Sequence, residues 1–171
     1  MDSPLTGALA EKKKEGMIMG LDVEAYKKMM KVDNPKRDED GCLVDWDKLV
    51  EINQPTLDYT EEHFKGRTQG LVTGVYSSDD SFSFSAGAYS HYNRFREKLE
   101  KMASNSQLFE LIMFSDCEGF IGPVVSKKLA KDFKDLEKIA REQLDDYDME
   151  TYLNFKKAFE LASEDGCVQF M

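Results

Sequence analysis

Two short segments of the chain carry most of the side chains that could bind a ligand or do chemistry. They are Gly87–Arg96 (GAYSHYNRFR) and Phe114–Gly119 (FSDCEG). Each lies where a strand-like stretch gives way to a helix-like one, and free backbone N–H groups at helix starts often bind ligands. We therefore predict a pocket for a small polar or anionic ligand, including a nucleotide-like one, formed by seven side chains: Ser90, Tyr92, Asn93, Arg96, Ser115, Asp116 and Glu118.

Arg96 is the cation best placed to reach such a ligand. At about 100° per residue, it lies on the same side of a helix as the apolar stripe that includes Tyr92, whereas Arg94 faces away. A guanidinium beside an apolar stripe needs an anionic partner, because burying an unpaired charge is costly. That partner is either the carboxylate of Asp116 or Glu118, in a structural ion pair, or a phosphate or carboxylate of the ligand.

The neutral candidates also have structural interpretations. Ser90 is placed to cap a helix by accepting a hydrogen bond from the N–H of Asn93. Tyr92 has the spacing of a core aromatic residue as well as that of a stacking platform. Both interpretations stay open beside the ligand-binding one.

Asp116 and Glu118 are the best pair of carboxylates for acid–base chemistry. An alternative function is therefore a hydrolase of phosphoester or glycosidic bonds, with or without a divalent metal. A further arrangement would use Cys117 as a nucleophile with His91 as its base. The Asp-x-Glu-Gly fragment is too short for an EF-hand loop, and two histidines without paired cysteines disfavour zinc. We predict no metal and no cofactor, and we favour a binding protein over an enzyme.

The charge of the chain excludes several classes of partner. Its formal net charge is -10 and its pI is about 4.8, so it repels phosphate backbones and anionic lipid heads. No apolar run approaches the ~20 residues of a membrane span. We expect no extended nucleic acid and no membrane as partners. An acidic surface that docks on a basic protein gives a third function, a protein-binding inhibitor.

Length and cysteine content indicate one intracellular domain. The chain has 171 residues and three widely spaced cysteines, which is typical of reduced thiols in a cytoplasm. We predict an α+β fold: a single domain over 17–171 with a mixed or mostly antiparallel sheet of about five strands and four to five helices. Residues 1–16 are predicted to be a flexible or non-core extension.

The patterns also predict individual elements. Strands are expected at 17–27, 108–115 and 167–170, with a hairpin at 71–86. Helices are expected from Asp45 to Gln54, from Thr60, over 89–103, from Pro123, and from an Asp148 cap to Gly166.

Four stretches together resemble an uncharacterised family of bacterial and bacteriophage proteins. They are Met19–Asp22 (MGLD), Gly87–Arg96, Phe109–Gly119 (FELIMFSDCEG) and Ala158–Ala162 (AFELA). The resemblance covers about residues 17–171 and implies the cytoplasm of a bacterial host cell, but no activity. In that setting one use of the predicted pocket is to sequester a host nucleotide signal that triggers defence. A second copy of the chain or a host protein is a further partner consistent with this setting.

Overall fold

The computed structural model describes residues 20–115 and 118–171. Within these ranges the chain forms a single α+β domain, as the composition and patterning predict. The strands are β1 (Asp22–Lys27), β2 (Met30–Lys31), β3 (Val50–Ile52), β4 (Gly74–Ser77), β5 (Asp80–Ser85), β6 (Gly119–Ile121) and β7 (Cys167–Phe170). The helices are α1 (Gln54–His63), α2 (Tyr89–Met102), α3 (Phe109–Ile112), α4 (Pro123–Gln143) and α5 (Asp146–Ala162).

A four-stranded antiparallel sheet with the order β5-β1-β7-β6 forms the middle layer. Its central strand β1 alternates as predicted: Leu21, Val23 and Ala25 are fully buried on the inner face. The side chains between them, including Asp22 and Glu24, point to the outer face, because successive residues of a strand face opposite sides. The two faces of this sheet therefore have different chemistry.

Helices α2, α4 and α5 cover the inner face and form the main core with it. Phe155 of α5 lies at the centre, with ring centroids 5.0 Å from Phe84, 5.7 Å from Phe95 and 6.3 Å from Phe170. This cluster joins the helix layer to strands β5 and β7.

A second antiparallel sheet, with the order β2-β4-β3, lies with α1 against part of the outer face. Val50, Ile52 and Leu57 from these elements pack with Phe120 and Cys167 in a small second core. The remainder of the outer face is left open, and this partial covering creates the groove described below.

The helix predicted from Asp45 to Gln54 is wrong. This stretch is a turn followed by β3, and Trp46 is 66% exposed. The Gln54-Pro55 pair begins α1 instead of ending a helix, because Asn53 Oδ1 accepts a hydrogen bond from Thr56 N at 2.8 Å and proline is tolerated in a first turn. Thr60 lies within this helix and does not start one.

The hairpin predicted at 71–86 is also wrong, although both of its strands exist. Strand β4 pairs with β2 and β3, whereas β5 pairs with β1 in the other sheet. The chain changes sheets because Tyr76 packs against the second core while Phe82 and Phe84 pack against the main core.

The apolar stretch 108–115 is not a strand. It contains the single-turn helix α3, and its buried residues Leu108, Leu111 and Ile112 have helical spacing, whereas Phe109 and Met113 are half-exposed. The Asp132 carboxylate accepts a hydrogen bond from Leu108 N at 2.9 Å and so satisfies a backbone group at the start of this turn.

Helices α2 and α4 and strand β7 are confirmed. The last helix is confirmed with different ends. Its cap is Asp145, three residues before the predicted cap, and it accepts a hydrogen bond from Asp148 N at 2.8 Å; the helix ends at Ala162, four residues before Gly166. The predicted extension over residues 1–16 lies outside the described residues. In the ranges that are described, no helix is long and apolar enough to cross a membrane.

Candidate functional site

The two segments predicted to form a pocket do meet. The buried hydroxyl of Tyr92 donates a hydrogen bond to the Phe114 carbonyl at 2.7 Å, and Arg96 Nη1 donates one to the Ile112 carbonyl at 2.6 Å. Helix α2 is therefore fastened to the chain that follows α3. Tyr92 is 2% exposed and is a core residue.

Both terminal nitrogens of the Arg96 guanidinium are bonded within the protein. Besides its bond to Ile112, the group donates from Nη2 to Asn93 Oδ1 at 2.6 Å, and it stacks 5.0 Å from the centre of the Tyr92 ring. Its Nε is buried and makes no hydrogen bond. Asp116 lies outside the described residues, so its predicted pairing with Arg96 stays a prediction.

The other predicted residues lie at the surface. Ser90, Asn93 and Ser115 are exposed. Ser90 does not cap α2, because the N-cap position is Ala88 and no side chain bonds to the helix start. Glu118 is also exposed, and it lines the cavity on the outer face of the four-stranded sheet.

That cavity is a groove of about 580 Å³, continuous with an adjoining space of about 400 Å³. The two spaces share Glu24, Ser83, Gln169 and Met171, which lie side by side on β1, β5 and at the end of β7. We call the whole cavity the sheet-face groove. Its floor consists of Asp22, Glu24, Ser83, Ser85, Gln169 and Met171.

The strand register places these polar groups in rows. Glu24 lies opposite Ser83 of β5 on one side and Gln169 of β7 on the other. Asp22 lies opposite Ser85, and its backbone exchanges two hydrogen bonds with Met171, at 3.0 and 2.8 Å. Two neighbouring rows of side chains therefore present carboxylate, hydroxyl and amide groups to the same space.

The walls of the groove come from the elements that cover only part of the sheet. Thr56 of α1 stands on one side, above Phe120 of the edge strand β6, which lies opposite Gln169 in the sheet. Leu43, Trp46 and Leu49, from the turn before β3, stand on the other. The groove thus combines a polar floor with apolar and aromatic walls.

Glu24 is held in place by a neighbour on its own strand. The Tyr26 hydroxyl donates to Glu24 Oε2 at 2.5 Å. Burial, together with the nearby Glu24 carboxylate, raises the pKa of Tyr26 far above its usual value, so this hydroxyl remains a proton donor. The other oxygen of Glu24 is left to face the groove.

Several floor groups have no side-chain partner among the described residues. Within the described ranges, the side chains of Asp22, Ser83 and Gln169 make no hydrogen bond or ion pair. Asp22 is half-buried, and a carboxylate held partly out of water is stabilised by a cationic or hydrogen-bond-donating partner.

The charge of the groove has one sign. Among the described residues that line it, five carry carboxylates and none is Lys, Arg or His; the five are Asp22, Glu24, Asp47, Glu51 and Glu118. Of these, Glu51 forms an ion pair with Arg37 at 2.6 Å. In the part of the chain that the structure describes, no three His, Cys, Asp or Glu side chains are grouped closely enough to hold a metal ion.

Sequence reasoning did not find the floor of this groove. The alternation in β1 and in β5 does separate Asp22 and Glu24, and the serines, from the apolar residues. What brings Gln169 beside Glu24 is a pairing between the first and the last strand. Local periodicity carries no information on that pairing.

The groove and its supporting layers define an α+β protein with an acidic cavity on a half-covered antiparallel sheet. Comparison with protein-family models, with curated protein sequences and with solved structures finds no match to this chain.

Proposed function

We propose that this protein binds a small polar ligand in the sheet-face groove. The observation that carries the proposal is a cavity of about 580 Å³ whose floor presents Asp22, Ser83 and Gln169 with no partners among the described residues. Small-molecule sites typically have volumes of roughly 300–1,000 Å³ and combine apolar walls with a few convergent polar groups. The groove has this composition.

The position of the groove also supports a binding role. Its floor belongs to the two central strands of the larger sheet and to the edge strand β5, and the main core packs against the opposite face of that sheet. A ligand on that floor would meet a backbone already ordered by strand pairing, so little backbone entropy would be lost on binding.

The chemistry of the lining favours a polar ligand without negative charge. Five carboxylates and no described basic residue would repel a phosphate or a carboxylate. Capture of a nucleotide signal near Arg96, and hydrolysis by Asp116 and Glu118, stay predictions.

A ligand screen on two matched variants tests the proposal. Ser83→Trp fills the groove from a floor position shared by both of its parts, and tryptophan is well tolerated in strands. Ser90→Trp adds the same bulk at an exposed position of α2, inside the pocket predicted from the sequence. Binding of diamines, monosaccharides, amino acids and nucleotides is measured by calorimetry with the wild type and both variants.

We expect at least one of these compounds to bind the wild type and Ser90→Trp but not Ser83→Trp. If no compound binds, or if binding survives in Ser83→Trp and is lost in Ser90→Trp, the groove is not the site. Circular dichroism of both variants verifies that each retains its fold.

A further inference from the structure

We infer that the ligand of the sheet-face groove is an elongated molecule carrying two or more protonated amino groups, of the linear polyamine class. This inference rests on the proposed function of the groove and adds the chemical class of its ligand. It comes from the arrangement of the carboxylates, the shape of the cavity and the apolar surface between the charges.

The carboxylates are spread along the groove instead of converging on a point. Asp22 and Glu24 are two residues apart on the same face of β1, which separates them by about 7 Å. Glu118 lies in one part of the cavity, and Asp47 and Glu51 lie in the other. Among the described residues no three of these groups lie closely enough to hold one metal ion, whereas a chain with an ammonium group at intervals would reach several of them in turn.

The hydrogen-bond acceptors that remain available on the floor suit ammonium groups. Asp22 has no described partner, and one oxygen of Glu24 is left after Tyr26 donates to the other. Ser83 and Gln169 supply further acceptors beside them. An ammonium group donates three hydrogen bonds and accepts none, so these neighbouring oxygens would satisfy it.

The apolar walls suit the methylene segments of such a ligand. Phe120 borders one part of the groove, Trp46, Leu43 and Leu49 border the other, and Met171 lies on the floor shared by both. Methylene chains gain from contact with apolar surface, and a protonated amine is attracted to the face of an aromatic ring. The acidic chain as a whole also raises the local concentration of cations.

Calorimetric titration with the triamine spermidine tests the inference on the intact chain. Glucose, a neutral polar compound of similar size, and inorganic phosphate are titrated beside it. We expect spermidine to bind with one site per chain and phosphate not to bind. Raising the salt from about 50 to about 300 mM is expected to weaken spermidine binding severalfold, since ions screen these charges.

Four charge-neutralising variants distinguish specific binding in the groove from non-specific attraction to an acidic surface. Asp22→Asn and Glu24→Gln remove groove carboxylates, and each is expected to weaken spermidine binding tenfold or more, by roughly the value of a charge-assisted hydrogen bond. Asp146→Asn and Glu150→Gln remove exposed carboxylates of α5, in the helix layer behind the sheet. These two controls are expected to change the affinity less than twofold.

The outcomes distinguish this inference from the proposed function. If glucose binds in a manner blocked by Ser83→Trp and spermidine does not bind, the amine class is wrong and the groove remains a binding site. If all four variants weaken spermidine equally, the attraction is diffuse and the inference fails. If no probe binds and the screen of small polar compounds is also empty, both conclusions fall.

Discussion

Arg96 shows how a side chain with the features of a ligand-binding group serves to hold two elements together. Its two terminal nitrogens donate to Ile112 O and Asn93 Oδ1, and its planar group stacks on Tyr92. These contacts connect α2 with the end of α3. Removing the guanidinium would leave the Ile112 carbonyl without that donor.

A comparison of two arginines on the same helix tests this structural role. We expect Arg96→Met to lower the free energy of unfolding by about 1–3 kcal/mol, because hydrogen bonds from charged groups contribute on that scale. Arg94→Met is the matched control, and as an exposed substitution it should change stability by less than about 0.5 kcal/mol. Urea denaturation measures both. Equal effects of the two substitutions would contradict a fastening role for Arg96.

His91 is a buried titratable side chain of the helix layer. It is 8% exposed, its ring lies 4.4 Å from that of Tyr147, and its Nδ1 lies 3.8 Å from Asp148 Oδ1. Asp148 is already paired with Lys98. Burial lowers the pKa of His91 below its usual value of 6.5, and the Asp148 carboxylate opposes this only in part.

The lowered pKa of His91 predicts a loss of stability in mild acid. Below about pH 6.5 the unfolded chain takes up a proton at this position while the folded chain still resists it, so stability falls until the folded pKa is passed. We expect the decrease in unfolding free energy between about pH 7.5 and pH 5.5 to be smaller in His91→Gln than in the wild type. The same substitution at the exposed His63 is the control. An unchanged pH dependence in His91→Gln would disprove this assignment.

At the scale of elements, the local pattern of apolar and polar residues is sufficient to predict secondary structure where one face of an element is buried and the other is exposed to solvent. Strand β1 and helices α2 and α4 have such faces, and their periods of two and about 3.6 residues identify them. The same pattern does not distinguish a helix from a strand at 108–115, because a run with few polar residues shows no clear periodicity of polar positions. There a left-handed backbone at Leu108, with φ of 56°, starts a turn instead of a strand.

The sequence predicts a helix end at Gln54-Pro55, whereas Asn53 caps the start of α1 there. Asn53→Ala is expected to lower the free energy of unfolding by about 1 kcal/mol, the usual cost of losing a side-chain cap. Glu62→Ala, at an exposed position of the same helix, is the control and should stay within about 0.5 kcal/mol. Thermal or urea unfolding reports both. No loss in Asn53→Ala would mean that packing alone fixes the helix start.

At the scale of the whole molecule, the candidate site depends on the order of strands. The groove exists because β1 pairs with both β5 and β7, and because the second sheet and α1 cover only part of the outer face. Of the predicted ligand-binding side chains that the structure describes, Glu118 is the one that lines it. Asp22 and Glu24 were visible as the polar side of a strand, but their neighbours Ser83 and Gln169 come from distant parts of the chain.

The most direct test of a binding groove on this sheet is to map a bound amine by NMR. Spermidine is titrated into isotope-labelled protein and the amide chemical shifts are followed residue by residue. The largest changes are expected at Glu24, Ser83 and Gln169 on the floor, with small changes along α2. Changes centred on Ser90 to Arg96, or spread evenly over the acidic surface, would contradict the groove as the site.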